Sequence, residues 1–108
     1  MVKITTETEG IVKRYTNELG KMGIRVSRVF LFGSYAHGKQ HSGSDIDLVV
    51  ISADFKDMKM IKKLELLGSA AGRIMEPVEA FGFTPEEIEK GDVPPFLSEI
   101  LENEAIAV

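Results

Sequence analysis

The chain has 108 residues, of which 44% are hydrophobic and 28% charged, as expected for one globular domain over residues 1–108 that buries a core. It has no cysteine, which excludes disulfides and thiolate metal sites, and its net charge of −4 argues against binding to long nucleic acid. No apolar run reaches the length of a membrane span and no signal-peptide pattern opens the chain, so we expect a cytoplasmic protein with no membrane partner.

The N-terminal third of the chain predicts a helix followed by a strand. Apolar residues recur at three- and four-residue steps from Thr5 to Gly23, which indicates an amphipathic helix that covers one face of a sheet. Residues Arg25 to Phe32 end in a fully apolar segment that is typical of a strand inside a sheet. If Tyr35 to Gly38 start a short helix, its N-terminal amides would point to the end of this strand and favour an anion there.

A second apolar strand is predicted from Ile46 to Ser52, and two carboxylates stand at its entrance. Asp45 and Asp47 are two positions apart, so on a strand their side chains lie on the same face. Carboxylates that close repel each other, and a bound cation would relieve the repulsion. Because all the ligands are oxygens, a hard cation such as Mg²⁺ is favoured over zinc.

The end of the first strand supplies the chemical complement of these carboxylates. Gly33 lets a phosphate approach the backbone, and Ser34 offers a hydroxyl and its own N–H group. Both strand ends must meet at one site, so we expect the two strands to be antiparallel. The polar connection from Lys39 to Ser44, which includes His41, is expected to be a surface loop that can cover a bound nucleotide.

The second half of the chain predicts three further helices and two strands. Their proposed limits are a long helix that follows Ala53–Asp57, a strand at Ile74–Phe83, a helix that begins at Thr84-Pro85, a helix at Phe96–Glu104 and an edge strand at Ala105–Val108. The second long helix is expected to bury an apolar stripe, and the last helix is expected to turn four apolar residues inward: Met60, Ile61, Leu64, Leu67 and Ala71, and Phe96, Leu97, Ile100 and Leu101. The lysines near the start of the long helix are assigned to its solvent face: Lys56, Lys59, Lys62 and Lys63.

The central motif resembles that of a known family. Gly33-Ser34, ten residues, and then Asp45-Ile46-Asp47 is similar to the signature of the nucleotidyltransferases related to DNA polymerase beta, and among them to the minimal nucleotidyltransferases. The spacing and both flanking apolar strands agree with the pattern. The resemblance implies an α/β (α+β) nucleotidyltransferase fold, in which helices flank a small mixed β-sheet.

The resemblance also implies a set of site residues. Gly33, Ser34 and His37 would hold the triphosphate; His37 stands where many relatives have arginine, so phosphate contact and simple loop structure are equally open. Asp45, Asp47 and a third carboxylate would bind Mg²⁺, with two ions expected. Glu79 is the preferred third carboxylate and Glu76 is the alternative.

The resemblance implies a function as well. ATP, or another nucleoside triphosphate, would donate AMP to an acceptor hydroxyl, and the acceptor would be a tyrosine of a small helical HEPN-type toxin that the protein neutralises as an antitoxin. Two alternatives are kept: a non-catalytic module that neutralises its partner by complex formation, and nucleotidylation of a small molecule. Apolar surface on the first or last helix would allow homo-oligomerisation or partner binding.

Overall fold

A computed structural model describes residues 4–40 and 43–108 of the chain. The helices and strands follow one another as α1 (Thr6–Lys21), β1 (Arg28–Phe32), β2 (Ile46–Ile51), α2 (Met60–Ile74), β3 (Val78–Phe83), α3 (Pro85–Lys90), α4 (Pro95–Asn103) and β4 (Ile106–Ala107). The strands form one sheet in the order β3-β2-β1-β4. Among the described residues no helix has both the length and the apolar character needed to cross a bilayer.

The mixed sheet confirms the predicted fold class. β1 is antiparallel to β2, as expected from the requirement that the two strand ends meet, and β4 adds to the other edge of β1 in antiparallel fashion. β2 and β3 are parallel, and α2 makes the crossover between them. The site-bearing end of β1 therefore meets the beginnings of both β2 and β3.

The first helix and strand are shorter than predicted. Thr5 caps α1, because its hydroxyl accepts a hydrogen bond from the Thr8 N–H group at 3.1 Å. The helix continues through Gly20 to Lys21, and the left-handed residue after it is Gly23, with φ of 91°. β1 begins at Arg28 and not at Arg25.

The predicted start of the third strand at Ile74 is wrong. α2 continues to Ile74, and Met75 then ends it in the left-handed conformation with φ of 56°. Pro77 lies outside the strand, where its missing N–H group does not interrupt the ladder. The predicted helix start at Thr84 is confirmed by a reciprocal capping box with Glu87.

Each face of the sheet is covered by a different group of helices. On one face, α1 and α2 pack over a core that includes Tyr15, Leu31 and Leu48. On the other face, α4 packs its buried Leu97 against Val49 and Phe83. The second face is the less completely covered one, because α3 and α4 are short.

Several side chains that were expected to be buried lie at the surface. Met60, Ile61 and Leu64 of α2 are 69%, 68% and 49% exposed, and Phe96 of α4 is 54% exposed. Conversely, Lys63 was assigned to solvent but is half-buried, and its ammonium group donates to the Gly82 carbonyl at 3.1 Å. Of the five residues predicted to face inward from α2, only Leu67 and Ala71 are buried, because the start of the helix extends beyond what packs against it.

Candidate active site

Two of the predicted carboxylates lie side by side at one end of the sheet. Strand register pairs Phe32 of β1 with Asp47 of β2, and Asp47 with Glu79 of β3. Residues that are paired across neighbouring strands point to the same face, so one row of the sheet reads phenylalanine, aspartate, glutamate. This row lies on the face that α4 covers, and its Phe32 belongs to the same apolar cluster as Leu97 of α4.

Asp45 completes this acidic group from the loop before β2. It is exposed and precedes the first strand residue, Ile46, so it is not itself a strand residue as the sequence pattern suggested. Burial is the main cause that raises the pKa of Asp47 to about 6, and the negative charges of Glu79 and Asp45 raise it further. The folding of the chain thus concentrates negative charge around Asp47.

Gly33 is held against Asp47. It has φ of 73°, a left-handed conformation that disfavours a side chain, and a Cβ atom built at this position would collide with the Asp47 carboxylate, with Cγ only 3.1 Å away. The glycine is therefore required twice, by its backbone conformation and by the carboxylate beside it. This close approach leaves the Gly33 backbone open to a ligand that also contacts Asp47.

Ser34 and His37 lie at the two ends of a single-turn 3₁₀ helix, Ser34–Ala36, in place of the predicted helix from Tyr35 to Gly38. The Ser34 carbonyl accepts from the amides of His37 and Lys39, at 3.2 and 2.9 Å. The Ser34 N–H group is at the start of the turn and has no hydrogen-bond partner within the turn. His37 is exposed, and residues 41 and 42 of the following loop, including His41, lie outside the described residues.

The structure separates the two candidates for the third carboxylate. Glu76 lies before β3 and forms an ion pair with Arg14 of α1 at 2.8 Å. Glu79 is exposed, is in register with Asp47, and makes no hydrogen bond or ion pair within the described part of the chain. Of the two, only Glu79 is positioned beside the aspartates and free to bind a ligand.

The donor chemistry of these residues suits a hard cation. Asp45, Asp47 and Glu79 supply only carboxylate oxygens, which Mg²⁺ prefers, and the pKa of Asp47 is raised first by burial and then by the charges of Glu79 and Asp45, all of which a bound cation would offset. Within residues 4–40 and 43–108, no three acidic, histidine or cysteine side chains converge closely enough to form a ready-made metal site. Mutual repulsion of the three carboxylates favours such spreading.

Sequence inspection missed the aromatic surroundings of the carboxylates. Phe81 lies two residues after Glu79 on the same face, and its ring centroid is 6.4 Å from that of Phe32 and 6.1 Å from that of Phe96. Strand alternation would have placed Phe81 on the face of Glu79, but the approach of Phe32 and Phe96 depends on the sheet register and on α4. An apolar ledge therefore adjoins the acidic row.

Comparison with known proteins agrees with this arrangement. A family model described as a nucleotidyltransferase domain matches residues 11–108, which include every site residue named above. A putative protein adenylyltransferase of Methanocaldococcus jannaschii is 34% identical over 64 residues, which are 59% of this chain and 73% of that protein.

Two further relatives are informative. The protein adenylyltransferase MntA of Shewanella oneidensis is 40% identical over 47 residues, 44% of this chain, and the match spans only 31% of that protein's length. The crystal structure of a toxin–antitoxin with AMP-PNP is similar with a TM-score of 0.61 and 23% identity, over 86% of this chain and 68% of that one. At this identity the structural likeness supports the fold alone.

Proposed function

The chain belongs to the nucleotidyltransferase domain family, and on this premise we propose that it transfers a nucleoside monophosphate, AMP from ATP, to an acceptor hydroxyl. The observation that carries the proposal is the position of Asp47 between the Gly33 backbone and Glu79. A phosphate-accessible backbone on one side and a second carboxylate on the other is the arrangement that nucleotidyl transfer requires.

The residues of the turn would hold the outer phosphates. Gly33 has no side chain to obstruct them, and Ser34 offers its hydroxyl and its N–H group. His37 directly follows the turn, is exposed, and can donate a further hydrogen bond. Neutral imidazole carries less charge than the arginine of many relatives, so we expect His37 to contribute less than Ser34 to triphosphate binding.

Asp45, Asp47 and Glu79 would hold Mg²⁺, with two ions bound. When bound, the metal would neutralise the triphosphate and lower the pKa of the acceptor hydroxyl. The acceptor oxygen attacks the α-phosphorus, forming a new P–O bond while the bond to the bridging oxygen of pyrophosphate breaks. Glu79 is in register with Asp47 and exposed, and its carboxylate would orient the hydroxyl and take its proton.

The proposed acceptor is a tyrosine of a small helical HEPN-type toxin, which the protein would neutralise as an antitoxin. Support comes from the relatives named as protein adenylyltransferases and from the fold shared with a toxin–antitoxin. The apolar ledge of Phe81 and Phe96 beside Glu79 favours an aromatic acceptor side chain over a highly polar small molecule.

The test is incubation of the protein with α-labelled ATP, Mg²⁺ and the purified product of a neighbouring gene that encodes a small helical protein. Label and intact mass are followed on that product. We expect addition of AMP units, and a loss of at least about 10³-fold in rate for Asp47→Asn, which keeps the shape of the side chain but removes its charge. Asp92→Asn, an exposed aspartate after α3, is the matched control and should transfer normally.

Two results would contradict the proposal. Transfer at the normal rate by Asp47→Asn would show that the acidic row is not the catalytic site. A stable complex with the helical protein, without transfer and without Mg²⁺-dependent affinity for ATP, would instead favour the non-catalytic module, which acts by binding alone.

A further inference from the structure

The outer edge of β3 is an unpaired strand edge. The amides of Ile46 and Ser52 donate to the carbonyls of Pro77 and Phe83, at 2.8 and 3.0 Å, which fixes the side of β3 that faces β2. By alternation along the strand, the backbone groups of Val78, Ala80 and Gly82 point away from the sheet. No strand among the described residues pairs with this edge.

α2 carries an exposed apolar face above the same edge. We call it the α2 stripe: Ile61, Leu64, Gly68, Gly72 and Met75, the last being the residue that caps the helix. Ile61, Leu64 and Met75 are 68%, 49% and 88% exposed, and a Cβ atom built on either glycine would meet nothing within 4 Å. Leu64 and Met60 also line a groove of about 230 Å³ with Phe81 and Gly82. Helix stripe and strand edge thus form one continuous surface.

The order of residues in the α2 stripe is self-complementary. If two such helices lie antiparallel with Gly68 at the centre, Leu64 of one helix faces Gly72 of the other, and Ile61 faces Met75. Large side chains then meet small ones, and the central glycines allow the helix backbones to approach closely. The β3 edge has the same property: an antiparallel pair centred on Ala80 brings Val78 opposite Gly82.

The two centres of symmetry lie at the same height along the molecule. Lys63 of α2 binds the Gly82 carbonyl, which aligns the helix with the strand. From that point, Gly68 is five residues along the helix, about 7.5 Å at a rise of 1.5 Å. Ala80 is two residues back along the strand, about 6.6 Å at 3.3 Å per residue. One two-fold axis can therefore pass through both positions.

We propose that the β3 edge and the α2 stripe form a symmetric interface with a second copy of this chain. The strands would join into one continuous sheet, about 4.8 Å apart. The α2 stripes of the two copies would then face each other across the same axis. A single symmetric contact thus satisfies both layers at once.

Charge and hydrogen bonding favour a second copy over an unrelated partner. The surface is basic at one end, where Lys63 reaches the end of β3 and Lys59 precedes it by one helical turn, and acidic at the other, where Glu79 stands at the beginning of β3 beside Glu76, whose charge is shared with Arg14. Antiparallel pairing sets each basic end against the acidic end of the second copy. The Gly82 carbonyl already accepts from Lys63, and the Val78 amide already donates to the Glu76 carbonyl. The backbone groups left at this edge are the Val78 carbonyl, the amide and carbonyl of Ala80, and the Gly82 amide. These groups are the ones that pair in this register.

The pairing also has a consequence for the acidic row. With Ala80 on the axis, Phe81 of the second copy lies opposite Glu79, on the same face of the continuous sheet. The acidic row of each protomer would gain an aromatic neighbour, Phe81, from the other protomer. The dimer would therefore shape the side of the cleft where the acceptor enters.

The experiment is sedimentation velocity on the wild-type chain and two glycine variants, from about 1 to about 100 µM. Gly68→Arg places two arginines against each other on the axis, while its higher helix propensity supports the fold of the protomer. Gly10→Arg makes the same change on the exposed side of α1, where nothing lies within 4 Å of the new Cβ atom. Circular dichroism verifies that both variants fold.

We expect a species of twice the 11.9 kDa chain mass for wild type and for Gly10→Arg, and at least a 100-fold weaker association for Gly68→Arg, roughly the loss of a central interface residue. Hydrogen exchange should show the amides of Ala80 and Gly82 protected only in the dimer. A wild-type chain that stays monomeric throughout this range overturns the proposal, as does a dimer that Gly68→Arg leaves intact or in which those amides exchange freely.

Discussion

The two ends of the parallel pair β2–β3 differ in whether their polar side chains have hydrogen-bond partners. Where the strands end, the Ser52 hydroxyl donates to the Arg25 carbonyl at 2.7 Å, and Thr84 and Glu87 satisfy each other's amides. Where the strands begin, Asp47 and Glu79 make no hydrogen bond or ion pair within the described part of the chain. Polar groups at the first end are used in folding, whereas those at the second end are left for a ligand.

The difference shows where the protein gives up stability for binding. A buried polar group without a partner destabilises the folded state, and carboxylates placed side by side do so further. Such an arrangement persists when the groups gain a partner during function. Substitutions of the carboxylates at the site end should therefore reduce activity and can raise stability, whereas substitutions elsewhere should lower stability or leave it unchanged and should not affect activity.

After Asp47→Asn, the largest loss of activity is expected for Glu79→Gln. It keeps the size of the side chain but removes the charge beside Asp47, so nucleotidyl transfer should fall by at least about 10²-fold. Glu76→Gln is the matched control: it loses only the partly exposed ion pair with Arg14 and should transfer normally. The transfer rates of the two variants, measured side by side, test the assignment; equal losses would argue that Glu79 has no special role.

Gly33→Ala should destabilise the chain by about 2 to 3 kcal/mol. The new Cβ atom would be strained by the φ of 73° and would also collide with the Asp47 carboxylate. Gly91→Ala provides the comparison, because Gly91 has a similar φ of 69° in open space. That variant should lose only about 1 kcal/mol. Urea denaturation measures both, and the difference reports the collision with Asp47 together with the less favourable ψ of Gly33, which is −156° against 21° at Gly91.

Asp47→Asn should stabilise the metal-free chain in a pH-dependent way. The folded-state pKa of Asp47 is raised from 3.8 to about 6, so the unfolded chain releases this proton first and the wild-type free energy of unfolding falls as the pH rises through that interval. The asparagine variant lacks this loss. It should be more stable by about 1 to 2 kcal/mol at pH 7, less than the full shift implies because the side chain is partly solvated.

Below about pH 4 the advantage of Asp47→Asn should disappear, because aspartate is then protonated in both states. The measurement is urea denaturation without divalent cations at pH 7 and below pH 4. Asp92→Asn is the control, and its stability should match that of wild type at both pH values. An asparagine variant that is less stable than wild type at pH 7 would contradict the assignment of Asp47 as a destabilising charge.

The smallest effect is expected for Tyr15→Phe, on the face of the sheet that α1 and α2 cover. The Tyr15 hydroxyl is fully buried, donates to the Leu67 carbonyl at 2.8 Å and joins α1 to α2, and burial raises its pKa above the ordinary value. Its loss should lower the free energy of unfolding by about 1 kcal/mol. Thermal denaturation measures the change, and the transfer rate of the folded variant should not differ from that of wild type.

Much of the fold could be predicted because it depends on local patterns. Thr84 and Pro85 mark a helix start whose capping needs only neighbouring residues, and the structure has that helix. The antiparallel pairing of β1 and β2 followed from the requirement that Gly33 and Asp47 meet. The start of β3 could not be predicted, because whether residues 74–77 continue a helix or begin a strand depends on what they pack against.

The sequence by itself determined the chemistry of this protein: a glycine and a serine at one strand end, and two aspartates at the start of the next, in a spacing that names the family. The resemblance favoured Glu79 over Glu76, and only the tertiary structure shows what each one contacts: the strand register sets Glu79 beside Asp47, whereas Glu76 forms an ion pair with Arg14. It also decided that Met60, Ile61 and Leu64 of α2 stay exposed, since burial depends on what packs against the helix and periodicity does not encode that.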